Sequence, residues 1–292
     1  MSESALKKEE ETPSLCRPFL KWAGGKRQLL GEILQRAPAE YGTYHEPFIG
    51  GGAVFFGLRP QRAILADLNE ELISCYESVR DELPALLDWL EQYKYEEKEY
   101  YRIRSLDRTP EFQILPKYVR AARLIYLNKT CFNGLYRVNR SGFFNTPFGR
   151  YANPKIVDYE NLKACSDVLQ EVEFHVGPFE TLLDRVAEGD FVYLDPPYPP
   201  VSASADFTSY TDKDFSWEDQ VRLKAVCDQL HERGVKFLLS NAGIASVREL
   251  YRDYSLDEVD AKRAINSKGG KRGEVPEFLI RNYSSLKGGS YE

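Results

Sequence analysis

Short apolar runs punctuate the chain, and between them the spacing turns helical. EPFIGGGAVFFGL (46–58) reads as a strand end, a glycine turn and a short helix, and RAILADLNEELISCYESV (62–79) as a strand passing into a helix. VEFHV (172–176), FVYLD (191–195) and VKFLLSN (235–241) read as further strands, with a helix from Ser216, where SWED has the form of a capping box. Strands alternating with helices predict an α/β fold, a largely parallel sheet covered by helices on both faces. One segment interrupts the alternation. From Pro84 to Tyr126 the pattern is helical, with Val119, Ala122, Leu124 and Tyr126 set among Arg120 and Arg123, and 133–155 is loop or hairpin text rich in Gly, Asn and Pro. The expected organisation is a polar tail (1–14), one domain in two pieces (15–80 and 156–292), and an inserted, mainly helical domain (81–155).

Composition narrows the class. A chain of 292 residues with 42% hydrophobic and 29% charged residues can bury a large core and suits a soluble globular protein. No apolar run of about 18 residues predicts a membrane span. MSESALKKEEETPS is too polar for a signal peptide and reads as a disordered tail. Five scattered cysteines without a CxxC pair argue against zinc and disulfides and for a reducing cytoplasm. His45, His175 and His231 are far apart, so no metal is expected.

The net charge of −6 argues against nucleic acid only until its distribution is read. Acids are absent between Glu11 and Glu32, between Glu111 and Asp158, and between Asp260 and Glu274, and these stretches hold 17 of the 39 Lys and Arg. The rest of the chain is then net −23. Such polarisation fits basic surfaces for a polyanion on an acidic body, and equally three solvated faces.

Gly50, Gly51 and Gly52 follow a short strand and open a helix, where missing side chains allow close approach to the backbone. Asp67 ends the next strand, where a carboxylate can accept hydrogen bonds from both ribose hydroxyls. Together they suggest a nucleoside-containing cofactor, NAD or S-adenosylmethionine, although GGG is not GxGxxG and a tight structural turn reads as well. FLKWAGGKRQ (19–28) adds Gly24 and Gly25 between Trp22, a flat contact, and Lys26, an ammonium for a carboxylate.

DFVYLDPPY (190–198) is the more specific signal. Ligands of open α/β sheets bind beyond the carboxyl ends of the strands, where Asp195 falls. Pro196 and Pro197 stiffen the turn and restrain the residue before them, aiming the Asp195 carboxylate and the Pro196 carbonyl in a fixed direction. Two adjacent acceptors suit two donors on one atom, an amino group. An adenine amine is a poor nucleophile because its lone pair is delocalised, and accepting both its hydrogens favours a pyramidal nitrogen. Tyr198 can stack on a base turned out of its helix.

The motifs PFLKWAGGK, EPFIGGGAVF, LADLN, NGLYRVN, FNTPFGRY, DPPY, FTSY, LLSN and RAINSKGGKRG to LIRNY, in that order, resemble the DNA adenine N6-methyltransferase family that modifies GATC, over about 17–283. The chain looks most like the restriction-linked and Dam-type enzymes. The resemblance implies a Rossmann-like mixed sheet of seven strands with an inserted, mainly helical target-recognition domain, and it favours S-adenosylmethionine. It implies Trp22, Lys26, Asp67 and Asp195 as cofactor contacts, with Gly24, Gly25 and Gly50 to Gly52 lining the pocket and Phe179 packing on the cofactor adenine. Pro178 stands where close relatives often carry an acid. The implied DNA contacts are Phe132, an aromatic wedge; Asn133, facing the orphaned thymine; Arg137, a guanine reader; Leu135 and Pro147, touching thymine methyls; and Lys21, on the first guanine. Arg140, Arg150 and Tyr151 fall on backbone or flanking contacts. The implied partner is double-stranded DNA, alongside a cognate restriction endonuclease that need not form a stable complex, with a monomer as the acting unit. An RNA adenine methyltransferase, a non-catalytic DNA-binding regulator and an NAD dehydrogenase are the competing readings.

Overall fold

A computed structural model describes residues 16–199, 215–259 and 276–284. The tail, FTSY (207–210) and RAINSKGGKRG (263–273), with the third acid-free stretch, lie outside the described residues.

Seven strands form one sheet: β1 (Tyr44–Glu46), β2 (Ala63–Asp67), β3 (Val172–Val176), β4 (Phe191–Leu194), β5 (Lys236–Ala242), β6 (Ser255–Val259) and β7 (Glu277–Arg281), in the order β3-β2-β1-β4-β5-β7-β6. The pairs from β3 through β5 are parallel, and β7 runs antiparallel to both β5 and β6. This is the Rossmann-like, mixed seven-stranded sheet that the motifs imply. Its central strands are apolar because both faces are covered: β4 is buried throughout, and β5 at six of its seven positions. SLDEV was not legible as a strand. β6 is an edge with mainly polar, partly exposed side chains, so it lacks the apolar run that marks its neighbours.

The strand order reverses between β1 and β4, and ligands of such sheets bind beyond the carboxyl ends of strands at that point. After α1 (Leu30–Arg36), the first strand leads through the glycine turn to α2 (Ala53–Leu58), and β2 leads to α3 (Glu70–Asp81), whose start is capped by Asn69 accepting from the Leu72 N–H at 3.0 Å. The fourth strand ends on the DPPY turn. Further on, α7 (Tyr159–Leu169) precedes β3, and α8 (Trp217–Glu232) opens with the expected capping box, Ser216 and Asp219 exchanging hydrogen bonds with each other's backbone.

The interrupting segment contains α4 (Leu83–Leu90), α5 (Glu97–Arg104) and α6 (Lys117–Thr130). The last of these is buried around most of its circumference and packs on both α3 and α4. One apolar cluster runs without a break from Tyr44, Leu65 and Phe191 in the sheet to Ile103, Leu124 and Tyr126. Among the described residues the insert therefore shares the core of the sheet and has no separate one.

Arg123 departs most from the sequence pattern. Spaced as part of a polar face, it is only 1% exposed. Its guanidinium donates to the Ile103 and Arg104 carbonyls at 3.0 and 2.8 Å, lies 3.1 Å from Glu71 and 2.8 Å from Asp107, and sits over the Phe112 ring. One of the eight basic residues of the second acid-free stretch is thus an internal cross-link.

Beyond α6 the chain folds as the expected hairpin text. Cys131 bridges Phe148 and Val138 bridges Phe144, antiparallel, while the Phe132 N–H donates to the Pro147 carbonyl at 2.9 Å. At its base Asn133 takes a left-handed conformation (φ 58°), which asparagine tolerates better than most residues.

Candidate active site

Asp195 stands at the carboxyl end of β4 beside the strand-order reversal, as its motif predicts. Its Oδ1 lies 2.8 Å from the Lys26 ammonium and accepts from the Ser240 hydroxyl at 3.1 Å. Burial raises the Asp195 pKa, and Lys26 and Ser240 oppose that rise. Lys26 is itself buried, donates to the Gly24 carbonyl at 2.8 Å, and sits 4.6 Å from the centre of the Tyr198 ring. Its ammonium, expected to await a cofactor carboxylate, already serves the DPPY acid. The sequence could not show this pairing, because each partner lies on a loop whose position depends on the whole sheet.

The DPPY turn is held at two further points. Tyr198 donates its hydroxyl to Glu277 of β7 at 2.6 Å, and the Pro197 carbonyl accepts from Gln220 of α8 at 3.1 Å. Pro196 is buried and Pro197 exposed. The phenol of Tyr198 is therefore tethered at its far end, while its ring remains half-buried beside Lys26.

Following the neighbouring parallel strand, β1, are the glycines 50 to 52. Gly50 and Gly52 have φ of 46° and 69°, a region glycine enters without strain. A Cβ at Gly50 would come within 2.8 Å of the Trp22 ring, and one at Gly52 within 2.8 Å of the Tyr76 hydroxyl. The close approach that requires glycine here is thus to protein side chains. Trp22 covers Gly50 and Gly51, and Gly24 and Gly25 are exposed in the same loop.

Asp67, ending β2, accepts from the Gly50 N–H at 3.1 Å and the Asn69 N–H at 3.0 Å. Burial raises its pKa against these two donors. The neighbouring Leu68 is 71% exposed, an apolar surface beside a fixed carboxylate. Glu46, at the end of β1 and not singled out by any motif, accepts from the Tyr44 hydroxyl at 2.7 Å. Burial pushes its pKa up to about 8, so it is mostly neutral at pH 7 and adds little negative charge beside Asp195 and Asp67. Phe179 is 5% exposed and packs between Phe48 and Phe215, with the Arg222 guanidinium 5.7 Å from its ring centre. Its ring is embedded in the core, which leaves only a small edge for a cofactor base.

The residues expected to meet DNA gather on the hairpin beyond α6. Phe132 is 54% exposed at the turn, with Asn133, Leu135, Arg137, Arg140, Pro147 and Arg150 also exposed. Arg137 donates from Nε to the Asn145 side chain at 2.7 Å, which orients its guanidinium without burying it. Arg150 has only a loose pairing with Glu97, at 3.7 Å. Tyr151 donates to the Cys131 carbonyl at 2.9 Å, and the ammonium of the exposed Lys21 sits 5.7 Å from its ring centre.

This surface is tied directly to the loop carrying Trp22. Asn128 accepts from the Lys21 N–H and donates to the Lys21 carbonyl, both at 2.8 Å, and also reaches the Gly134 carbonyl at 3.2 Å. Tyr136 stacks on Trp22 with ring centres 4.9 Å apart. Neither residue was expected in the site. NGLYRVN marks the Tyr136 region, but only the folded chain shows that its ring turns inward.

Comparison with known proteins identifies relatives along nearly the whole chain. The family model of the D12 class N6 adenine-specific DNA methyltransferases matches residues 22–265. The Type II methyltransferase M1.LlaDCHI of Lactococcus lactis subsp. cremoris is 45% identical over 273 residues, covering 92% of this chain and 96% of that protein. The Type II methyltransferase M.MjaIII of Methanocaldococcus jannaschii is 42% identical, covering 91% and 99%. The DNA adenine methylase of Escherichia coli K12 is 37% identical, covering 90% and 94%.

Proposed function

Because the chain belongs to the D12 class of N6 adenine-specific DNA methyltransferases, we propose that it methylates adenine within GATC in duplex DNA, using S-adenosylmethionine and turning the target base out of the helix. The observation that carries this reading is the position of Asp195: a charge-paired carboxylate on a proline-stiffened turn, beside the strand-order reversal and next to the strand that leads into the glycine turn.

The residues present suit that cofactor. Asp67 offers a fixed carboxylate to a ribose, the exposed Leu68 an apolar contact for a base, and Trp22 a ring over the glycine turn. Bound S-adenosylmethionine supplies an electrophilic methyl on a sulfonium. Asp195 and the Pro196 carbonyl accept the two amine hydrogens of adenine, concentrating the lone pair on N6. Lys26 and Ser240 favour the ionised, hydrogen-accepting form of Asp195 against the burial that raises its pKa. The Tyr198 ring, tethered through its hydroxyl to Glu277, forms a wall for the flipped base. An amine that had gained a methyl would be acidic enough to pass its proton to water, so Asp195 would need only to accept hydrogen bonds and no strong base would be required before attack.

In this reading 15–80 with 156–292 is the catalytic domain and 81–155 the target-recognition domain. Phe132 wedges into the stack, Asn133 faces the vacated thymine, and Leu135 and Pro147 touch thymine methyls. Arg137 and Lys21 read guanines, while Arg140, Arg150 and Tyr151 meet the backbone or flanks. The exposure of the hairpin residues supports these roles. Two relatives are named Type II methyltransferases, which supports a place beside a cognate restriction endonuclease. Each strand of the site is a separate substrate, so a monomer suffices.

The test is transfer of labelled methyl from S-adenosylmethionine to short duplexes, one with GATC and others with each position changed. Label on adenine in the GATC duplex alone is expected. Equal label on altered duplexes would overturn the specificity, and no label on any DNA the whole reading. Arg137→Ala is expected to cost about 1–3 kcal/mol against the cognate duplex and to relax preference at one base pair. A uniform loss across all sequences would make Arg137 a phosphate contact.

A further inference from the structure

The LLSN stretch ends β5 with two polar side chains, Ser240 and Asn241, that are fully buried. A buried polar pair costs free energy unless it is hydrogen-bonded, so its partners indicate its purpose. Both residues address the DPPY turn.

The parallel pairing of β4 with β5 aligns Leu194 with Leu239, so the next residues on each strand, Asp195 and Ser240, come side by side. The Ser240 hydroxyl donates to Asp195 Oδ1 at 3.1 Å and lies 2.9 Å from the hydroxyl of the fully buried Tyr193. A serine hydroxyl has one proton. With that proton given to Asp195, Tyr193 is the donor to Ser240, and the two hydroxyls form a directed relay ending on the carboxylate. The second polar residue supports the other limb of the turn. Asn241 accepts from the Ala242 N–H at 2.8 Å, which leaves its amide nitrogen to donate to Gln220 Oε1 at 2.9 Å. The amide nitrogen of Gln220 is thereby directed at the Pro197 carbonyl, 3.1 Å away.

We infer that Ser240 is a positioning residue for methyl transfer, its hydroxyl holding Asp195 by one oxygen, with Asn241 and Gln220 fixing the turn that follows. This rests on the reading of Asp195 as the acceptor of the adenine amine. Ser240 also acts on charge. Burial and the acid Glu277 of β7 disfavour an ionised Asp195, while Lys26 of the Trp22 loop and the Ser240 proton favour it; the mostly neutral Glu46 of β1, Tyr193 and Tyr198 are the remaining ionisable neighbours. Losing the Ser240 donor raises the Asp195 pKa. If transfer needs the ionised form, the acid limb of the rate profile moves to higher pH.

The experiment measures single-turnover methylation at saturating S-adenosylmethionine and GATC duplex, from pH 5 to 9, on the full chain and on Ser240→Ala, Tyr193→Phe and Asp195→Ala. Ser240→Ala is expected to slow transfer about 10- to 100-fold, the weight of a hydrogen bond to a charged group, with an acid limb displaced upward. Binding of S-adenosylhomocysteine and of duplex should stay within about twofold, since no contact to either is removed. Tyr193→Phe keeps the packing, removes only the donor to Ser240, and should act in the same direction more weakly; it carries the test if Ser240→Ala does not fold. Near-parental rates with an unmoved acid limb in whichever folded variant is measured would overturn the inference. Asp195→Ala separates the two levels: turnover there would overturn the reading of Asp195 itself, whereas an inactive Asp195→Ala beside a normal Ser240→Ala rejects only the role of Ser240.

Discussion

Asp195→Asn is expected to lower methyl transfer by at least about 1,000-fold while the protein still folds and binds duplex. The change keeps shape and leaves an oxygen for Ser240, but it removes the charge that favours a pyramidal amine and that balances Lys26. Asp195→Ala goes further. It abolishes turnover, and it strands a buried ammonium whose remaining described contacts are the Gly24 carbonyl and the Tyr198 ring. Removing one member of a buried pair costs about 3–5 kcal/mol, toward the lower end where water reaches the site, as it does at Asp195 with 18% side-chain exposure. Thermal unfolding beside single-turnover rates separates the effects. An Asn variant with at least a tenth of parental turnover would show that Asp195 does not polarise the substrate.

Arg123→Met is expected to be the most destabilising change in the insert, by about 3–5 kcal/mol. It removes four polar contacts at once and leaves Glu71 and Asp107 without their shared cation. Burial already raises the Glu71 pKa above its ordinary 4.5, and Arg123 is the largest influence holding it down. A carboxyl whose folded pKa exceeds its unfolded value loses stability as pH rises from the unfolded to the folded value. Without Arg123 the folded value rises further. The deficit of the variant should therefore grow from pH 5 to pH 7 in urea titrations. Arg102→Met supplies the contrast: its pairing with Glu99 is at the surface, and the loss should stay within about 1 kcal/mol. Equal losses in both variants would contradict the internal role of Arg123.

Loss of Arg123 should also reach the site. Glu71 holds the hydroxyl of Tyr136 at 3.1 Å, and the Tyr136 ring stacks on Trp22. The insert thus buttresses the loop that carries Lys26, which is consistent with its sharing the core of the sheet.

What the sequence determined by itself is local. Apolar runs located β1 through β5, SWED located the capped start of α8, and the GGG and DPPY turns were placed correctly at strand ends. Each depends on neighbours a few positions apart, through backbone conformation, capping or alternation of side chains, and such effects are written in consecutive residues. The ordered motifs added the family, and with it the seven-stranded sheet.

Tertiary structure alone decided which groups meet. Lys26 pairs with Asp195, Ser240 reaches the same carboxylate, Phe179 is enclosed by Phe48 and Phe215, and Arg123 turns inward because strand register and helix packing bring distant segments together. The polar β6 likewise became a strand only through its pairing with β7. A pattern of charge along a chain cannot distinguish a solvated arginine from a buried one, since the difference lies in the acids and carbonyls that other segments supply.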